Sequence, residues 1–142
     1  NASSFSAGPA IWQAWSTHVD IDTGFRRVTP GNWCIVNQWH STPEDGGTNF
    51  NRSPVVAFDY LNNGFVIVTR SSAAMADNNG IAQAHYTNEL PVGWQHFVMR
   101  LLLGPNGTIQ VWRNGSEIVN ASVPIGYYAD TTGALAYPQW GI

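Results

Sequence analysis

The run "NWCIVNQWH", from Asn32 to His40, closes on a glutamine and a histidine two residues apart. On a strand, alternate residues share a face at a spacing of about 6.5–7 Å, so Gln38 and His40 point the same way. A carboxamide donates hydrogen bonds to a carboxylate, and an imidazole takes or gives a proton near neutral pH. Side by side they supply the parts of an acid–base site for an anionic ligand. The competing reading is a strand end at which His40 bonds to the loop that follows. Strict alternation groups Cys34 and Val36 with this pair and sets Trp33, Ile35, Asn37 and Trp39 on the opposite face.

Other reactive side chains point less clearly to a site. His18, Asp20 and Asp22 share a face of the strand in "WQAWSTHVDIDTGF". Metal ligands must converge, which residues along one strand do not do, so a solvated outer face is the expectation; no metal and no cofactor is expected. Cys34 is the sole cysteine, which precludes an intrachain disulfide, and its apolar setting predicts a buried, inert thiol. Arg100 stands among apolar neighbours in "WQHFVMRLLLG", either at a rim or on a ligand-binding face. His96 is expected to be buried beside Phe97 and bonded to backbone; His18 and His85 receive no role. Seven tryptophans are too many for the core of so small a domain, and indole faces stack well on sugar rings. Trp112 is the one most expected to be exposed.

Composition sets the limits. The 142-residue chain suits one domain with a real core, at 44% hydrophobic and 13% aromatic residues. Only 11% is charged, every basic residue is an arginine, and the net charge is −3. With no basic cluster beyond Arg26-Arg27, nucleic acid is not an expected partner. No apolar stretch reaches the length of a membrane helix, so no membrane partner is expected either. A surface built of Asn, Ser, Thr, Gln and Gly suits an extracellular or virion setting and carbohydrate ligands. Five N-x-S/T sequons begin at Asn1, Asn51, Asn106, Asn114 and Asn120, two of them in Asn-Gly turns. The first residues do not open a signal peptide, as in a mature protein or an excised part.

The elements that must position these residues are strands. Short β-branched and aromatic runs alternate with Gly, Pro, Asn and Asp clusters, the pattern of an antiparallel sandwich. In "GTIQVWRNGSEIVNASV" the Asn114-Gly115 pair predicts a two-residue hairpin with Val111 opposite Ile118 and Trp112 opposite Glu117. A second hairpin, turning at Asn63-Gly64, puts Asp59 opposite Val68 with Arg70 on the same face. Trp94 to Gly104 reads as a strand with Phe97, Met99, Leu101 and Leu103 on one side and Val98, Arg100 and Leu102 on the other. Only Ser71 to Ala84 reads as a short helix or loop. The Ser41–Pro54 loop is long enough to carry binding function.

Taken in order, "WCIVNQWH", "RSPVVAFDY", "GWQHFVMRLLLGPNGTIQVWRNGSEIV", "GYY" and "LAYPQWGI" resemble the heparin lyase I and alginate lyase type of polysaccharide lyase. The similarity runs from about Ile11 to the last residue, and its most specific parts are the Gln-x-His strand, the Trp-x-His-Phe-Val strand and the "VWRNG" hairpin. It implies an all-β, concanavalin-like jelly roll whose sheet grips a uronic-acid chain, with residues 1–142 as one domain lacking some terminal strands of its relatives. It implies β-elimination, in which the substrate carboxylate is neutralised, a base removes the C5 proton and an acid protonates the leaving oxygen. Gln38 would contact the carboxylate, His40 would be base or second neutraliser, and Arg26 or Arg27 would supply the neighbouring arginine. Arg70, Arg100, Trp112, Tyr137 and Gln139 are the expected substrate-binding residues.

The family's last strand has the form Tyr-Phe-Lys-x-Gly-x-Tyr, its lysine a helper and its final tyrosine the acid–base. Here Tyr137 to Ile142 read "YPQWGI", so Gln139 occupies the lysine position and Ile142 stands just before the tyrosine position. Two expectations follow: a lyase whose tyrosine lies past Ile142, or a jelly roll that binds glycans without cutting them. Where that tyrosine is missing, Tyr127 or Tyr128 is the candidate substitute proton donor. A different class fits the same composition, a non-catalytic structural or receptor-binding domain of a phage tail or extracellular fibre, assembling as a homo-oligomer.

Overall fold

The computed structural model describes residues 8–19, 33–41, 53–61, 64–73, 79–88, 90–127 and 136–140, all in strands or their connections and none in a helix. Ten strands follow in order: β1 Ile11–Val19, β2 Trp33–Ser41, β3 Val56–Leu61, β4 Gly64–Ser72, β5 Ile81–Asn88, β6 Gly93–Leu102, β7 Thr108–Arg113, β8 Ser116–Ser122, β9 Gly126–Tyr127 and β10 Ala136–Trp140. They form a four-stranded sheet, β1-β6-β7-β8, and a larger sheet, β10-β2-β3-β4-β5, to which β9 is added by parallel pairing with β4. Every other pairing is antiparallel, and the two sheets pack as a sandwich of jelly-roll type.

Alternation explains which sheet face meets the core. On β6, Phe97, Met99 and Leu101 are buried, while Val98 is exposed and Arg100 half-buried, as the period of two predicts. Ile109 and Val111 of β7 and Phe58, Phe65 and Ile67 of the facing sheet complete the interior. Burying each such side chain stabilises the fold by roughly 1.5–3 kcal/mol. Phe97 is the hub of the aromatic contacts, with ring centroids 5.1 Å from Trp15, 5.5 Å from Phe65 and 6.2 Å from Phe58.

The β7–β8 turn follows from its dipeptide. Asn114 has φ 49° and Gly115 φ 83°, the left-handed values that Asn-Gly tolerates and that a tight hairpin requires. Trp112 faces Glu117 as expected, but a register shift just beyond brings Val111 opposite Val119, not Ile118. The shift buries both valines in the core. At the other end of β7, Gly107 fits because a Cβ there would lie 2.8 Å from the carbonyl oxygens of both Leu102 and Val123.

Three further expectations need correction. Leu61 pairs with Gly64, so Asp59 faces Val66 and not Val68; a slip of two keeps each side chain on its predicted face. Of the stretch read as helix or loop, Ser71 to Ala84, the two ends are strand, the close of β4 and the start of β5 on a largely exposed edge, while residues 74–78 lie outside the described residues. On β2 the alternation breaks. Ile35 pairs with Asp59 and Asn37 with Phe58, leaving Val36 as the extra residue of a bulge. Cys34 and Val36 therefore pack against the core and do not share the face of Gln38 and His40.

Candidate functional site

Past the bulge, β2 returns to strict alternation. Asn37 and Trp39 turn inward and are buried, so Gln38 and His40 turn outward on the larger sheet. Trp39 anchors this end of the strand by donating from its indole N–H to Oε1 of Gln13 on β1, the neighbouring layer. Its burial is what fixes the outward aim of the residues on either side.

The partner strand supplies the rest. β10 pairs with β2 so that Tyr137 faces His40 and Gln139 faces Gln38. Gln38 donates from Nε2 to Oε1 of Gln139 at 2.7 Å, and Gln139 donates from Nε2 to the Tyr137 hydroxyl at 3.4 Å. The Tyr137 and His40 rings are 6.0 Å apart between centroids, tilted by 40°. Four side chains from two strands thus form one polar patch, half-buried except for the more exposed Tyr137.

The register extends the patch across the sheet. Ala57 lies beside Gln38, with Val68 beyond it. The next row runs from His40 through Val55 to Arg70, closed by the hydrogen bonds Val55 N to Trp39 O and Arg70 N to Val55 O, both 2.8 Å. Arg70 therefore stands on the same face two strands from His40, about 10 Å at the spacing of strands. Its guanidinium donates to the Pro54 carbonyl at 3.2 Å.

Asp59, also on this face, is buried with Oδ1 unbonded. Burial pushes its carboxyl up from the usual carboxylate range, and the positive charge of Arg70 offsets part of that. Burial, with the Asp59 charge, likewise raises the Cys34 thiol. Among the described residues no group of three His, Cys, Asp or Glu side chains has the geometry to hold a metal.

The remaining sequence candidates lie elsewhere. Arg100 and Trp112 sit on the outer face of the four-stranded sheet, separated from His40 by the whole core. Arg100 reaches Thr108 and Gln110 there. Tyr127 is fully buried and donates to the Ser53 carbonyl at 2.9 Å, a core role that excludes it as a surface proton donor. His96 is exposed, not buried, with Nδ1 2.7 Å from the Ser16 hydroxyl. Trp12 and Trp94, which the sequence did not single out, are more exposed than Trp112, each at 61%. Arg26, Arg27, Asp20, Asp22, Tyr128 and most of the Ser41–Pro54 loop lie outside the described residues.

The sequence offered no direct sign of the contact between β10 and β2, because nothing local to "AYPQW" says which strand it joins. A polar face that carries amide donors, an imidazole and a phenol can bind a carboxylate and exchange protons with a substrate beside it. A family model described as polysaccharide lyase matches residues 2–142. No curated protein matches the chain.

Proposed function

The chain belongs to the polysaccharide lyase family, and from that premise we propose that it cleaves a uronic-acid polysaccharide by β-elimination on the outer face of its larger sheet. The observation that carries this reading is the register of β2 and β10, which sets Gln38 and His40 against Gln139 and Tyr137. The substrate is an acidic polymer of the kind taken by alginate and heparin lyases, lying across β10, β2 and β3.

Carbanion-like charge builds beside the uronate carboxylate during such a reaction, so donors fixed in advance must stabilise it. Gln38 keeps a second N–H after bonding Gln139, and this N–H takes the carboxylate. Arg70 adds positive charge on the same face. His40 removes the C5 proton on an imidazole nitrogen. The electron pair of the broken C–H bond forms the C4–C5 double bond, and the C4–O bond breaks. Tyr137 gives its phenolic proton to the departing oxygen. Because Gln139 donates to the phenol oxygen, the phenol's own proton is left to point elsewhere, toward the substrate. The proton held by His40 then returns to the phenolate, which restores both groups.

The test is incubation with alginate, polygalacturonate, hyaluronan and heparin while ultraviolet absorbance of the unsaturated product is followed. Product from at least one polymer, abolished in His40→Ala, is expected. A protein that binds these polymers and yields no product from any of them would be a glycan-binding jelly roll without the chemistry.

A further inference from the structure

The outer face of the four-stranded sheet carries its own set of side chains, on the far side of the core from His40. Trp12 and Trp94 are each 61% exposed there, unusual for the largest apolar side chain. Trp12 on β1 pairs with Arg100 of β6, and Trp112 on β7 pairs with Val98 of β6. The two indoles reach over β6 and stack, 6.0 Å between centroids and within 15° of parallel. Trp94 lies six residues before Arg100 on the same strand, about 20 Å away, with the His18 ring set edgewise against it at 5.2 Å.

We propose that this face is a second polysaccharide-binding surface, distinct from the reacting site, which holds a length of acidic chain along β6 between the Trp12–Trp112 pair and Trp94. The proposal takes the ligand class from the polysaccharide reading above but not the location of the chemistry.

Three features of the face select this occupant. Indole faces pack against the flat apolar faces of sugar rings, and two aromatic stations on one line suit an extended polymer. Between the stations stand Ala14 and Ser16 on β1 and His96 and Val98 on β6, so Val98 is the one large aliphatic on an otherwise low or hydrogen-bonding track. Arg100 places a positive charge beside Trp12, while Glu117 stands opposite Trp112, so an acidic group of the ligand is met at the Trp12 side of the pair. A protein partner would call for a broader apolar core, whereas Val98 is the exposed large aliphatic on these two strands' outer face.

The experiment is affinity electrophoresis of the full chain in gels containing alginate, polygalacturonate or heparin, carried out in a His40→Ala background so that no polymer is consumed. Retardation by at least one polymer is expected, and adding Trp12→Ala with Trp94→Ala should weaken it at least about tenfold. Trp12→Tyr with Trp94→Tyr, which keeps ring faces, should recover it to within about threefold. An alanine pair retarded as strongly as its parent overturns the proposal, and so does absence of retardation by all three polymers. As a measurement that leaves the tryptophans in place, the retarding polymer should slow oxidation of Trp12 and Trp94 by N-bromosuccinimide in the His40→Ala protein; unchanged rates overturn it. The His40 substitution alone reports on turnover and the tryptophan pair on retention, so failure of one reading is separable from failure of the other.

Discussion

Gln38 and Gln139, 101 residues apart in the chain, share a 2.7 Å amide–amide hydrogen bond across β2 and β10. The bond fixes which atoms each amide has left to offer. Gln38 retains an N–H, and Gln139 turns its own N–H toward Tyr137. The sequence resemblance implies a lysine at this position; the chain has Gln139, and its contact with Tyr137 is neutral.

Removing the Gln139 side chain should cost catalysis more than stability. Gln139→Ala frees the Gln38 amide and takes the donor from the Tyr137 oxygen. The two half-exposed bonds lost, the 3.4 Å one the weaker, contribute about 1–2 kcal/mol together, so Tm should fall by no more than about 8 °C. The initial rate of unsaturated-product formation should fall about tenfold, the cost of one donor lost in the transition state. Gln139→Lys should exceed the wild-type rate, because a full charge beside the Tyr137 oxygen stabilises the phenolate left after proton transfer better than an amide dipole. A Gln139→Lys protein slower than Gln139→Ala would remove Gln139 from the site.

His40 and Tyr137 are assigned opposite halves of the proton traffic, and their substitution should look alike. His40→Ala and Tyr137→Phe should each lower kcat by about 10²–10⁴, measured by the same absorbance. Polymer affinity should stay within a few-fold, because the Gln38 amide and Arg70 charge remain. Loss of affinity with kcat unchanged would assign the two rings to binding alone.

The Gln-x-His pair was legible in the sequence because alternation is a local rule, and it held once Trp39 turned inward. The bulge at Val36 was not legible, since an inserted residue shows only against the partner strand. The β7–β8 turn was legible from Asn114-Gly115, whereas the two-residue slip between β3 and β4 preserved the pattern on which the reading relied. That Arg100 and Trp112 lie on the other sheet from Gln38 and His40 was not legible for the same kind of reason. Strand faces are readable one strand at a time, but which sheet a strand joins depends on long-range pairing. His96 shows the converse error: a neighbour of buried Phe97 must point away from it.

Asn37 is fully buried against β3, opposite Phe58, and neither atom of its amide is hydrogen-bonded. A buried amide without partners costs roughly 1–3 kcal/mol. Leucine has nearly the same shape without the polar atoms, so Asn37→Leu should raise Tm by at least about 3 °C in a thermal melt. A lower Tm would mean that the amide does work at the bulge that an apolar side chain cannot do.

Stability should also depend on pH through two groups that act in opposite directions, the half-buried His85 and the buried Asp59. His85 lies at the register shift between β4 and β5, its Nε2 2.6 Å from the Thr69 hydroxyl, and burial lowers its pKa from the ordinary 6.5. The unfolded chain then binds a proton at about 6.5 that the folded chain refuses until lower pH. Stability from this group is complete above that value and is lost as pH falls from 6.5 toward the folded value. Asp59 behaves oppositely. Burial raises its pKa from 3.8, the folded chain holds the extra proton, and stability increases as pH falls through the raised value toward 3.8. His85→Gln keeps a partner for Thr69 but cannot titrate. It should flatten the decline of Tm below pH 6.5 and leave the Asp59 contribution at lower pH in place. Asp59→Asn should do the reverse, raising Tm near neutral pH while leaving the decline below 6.5 intact. A melt series across this range whose slope is unchanged in both variants would place the pH dependence on other groups.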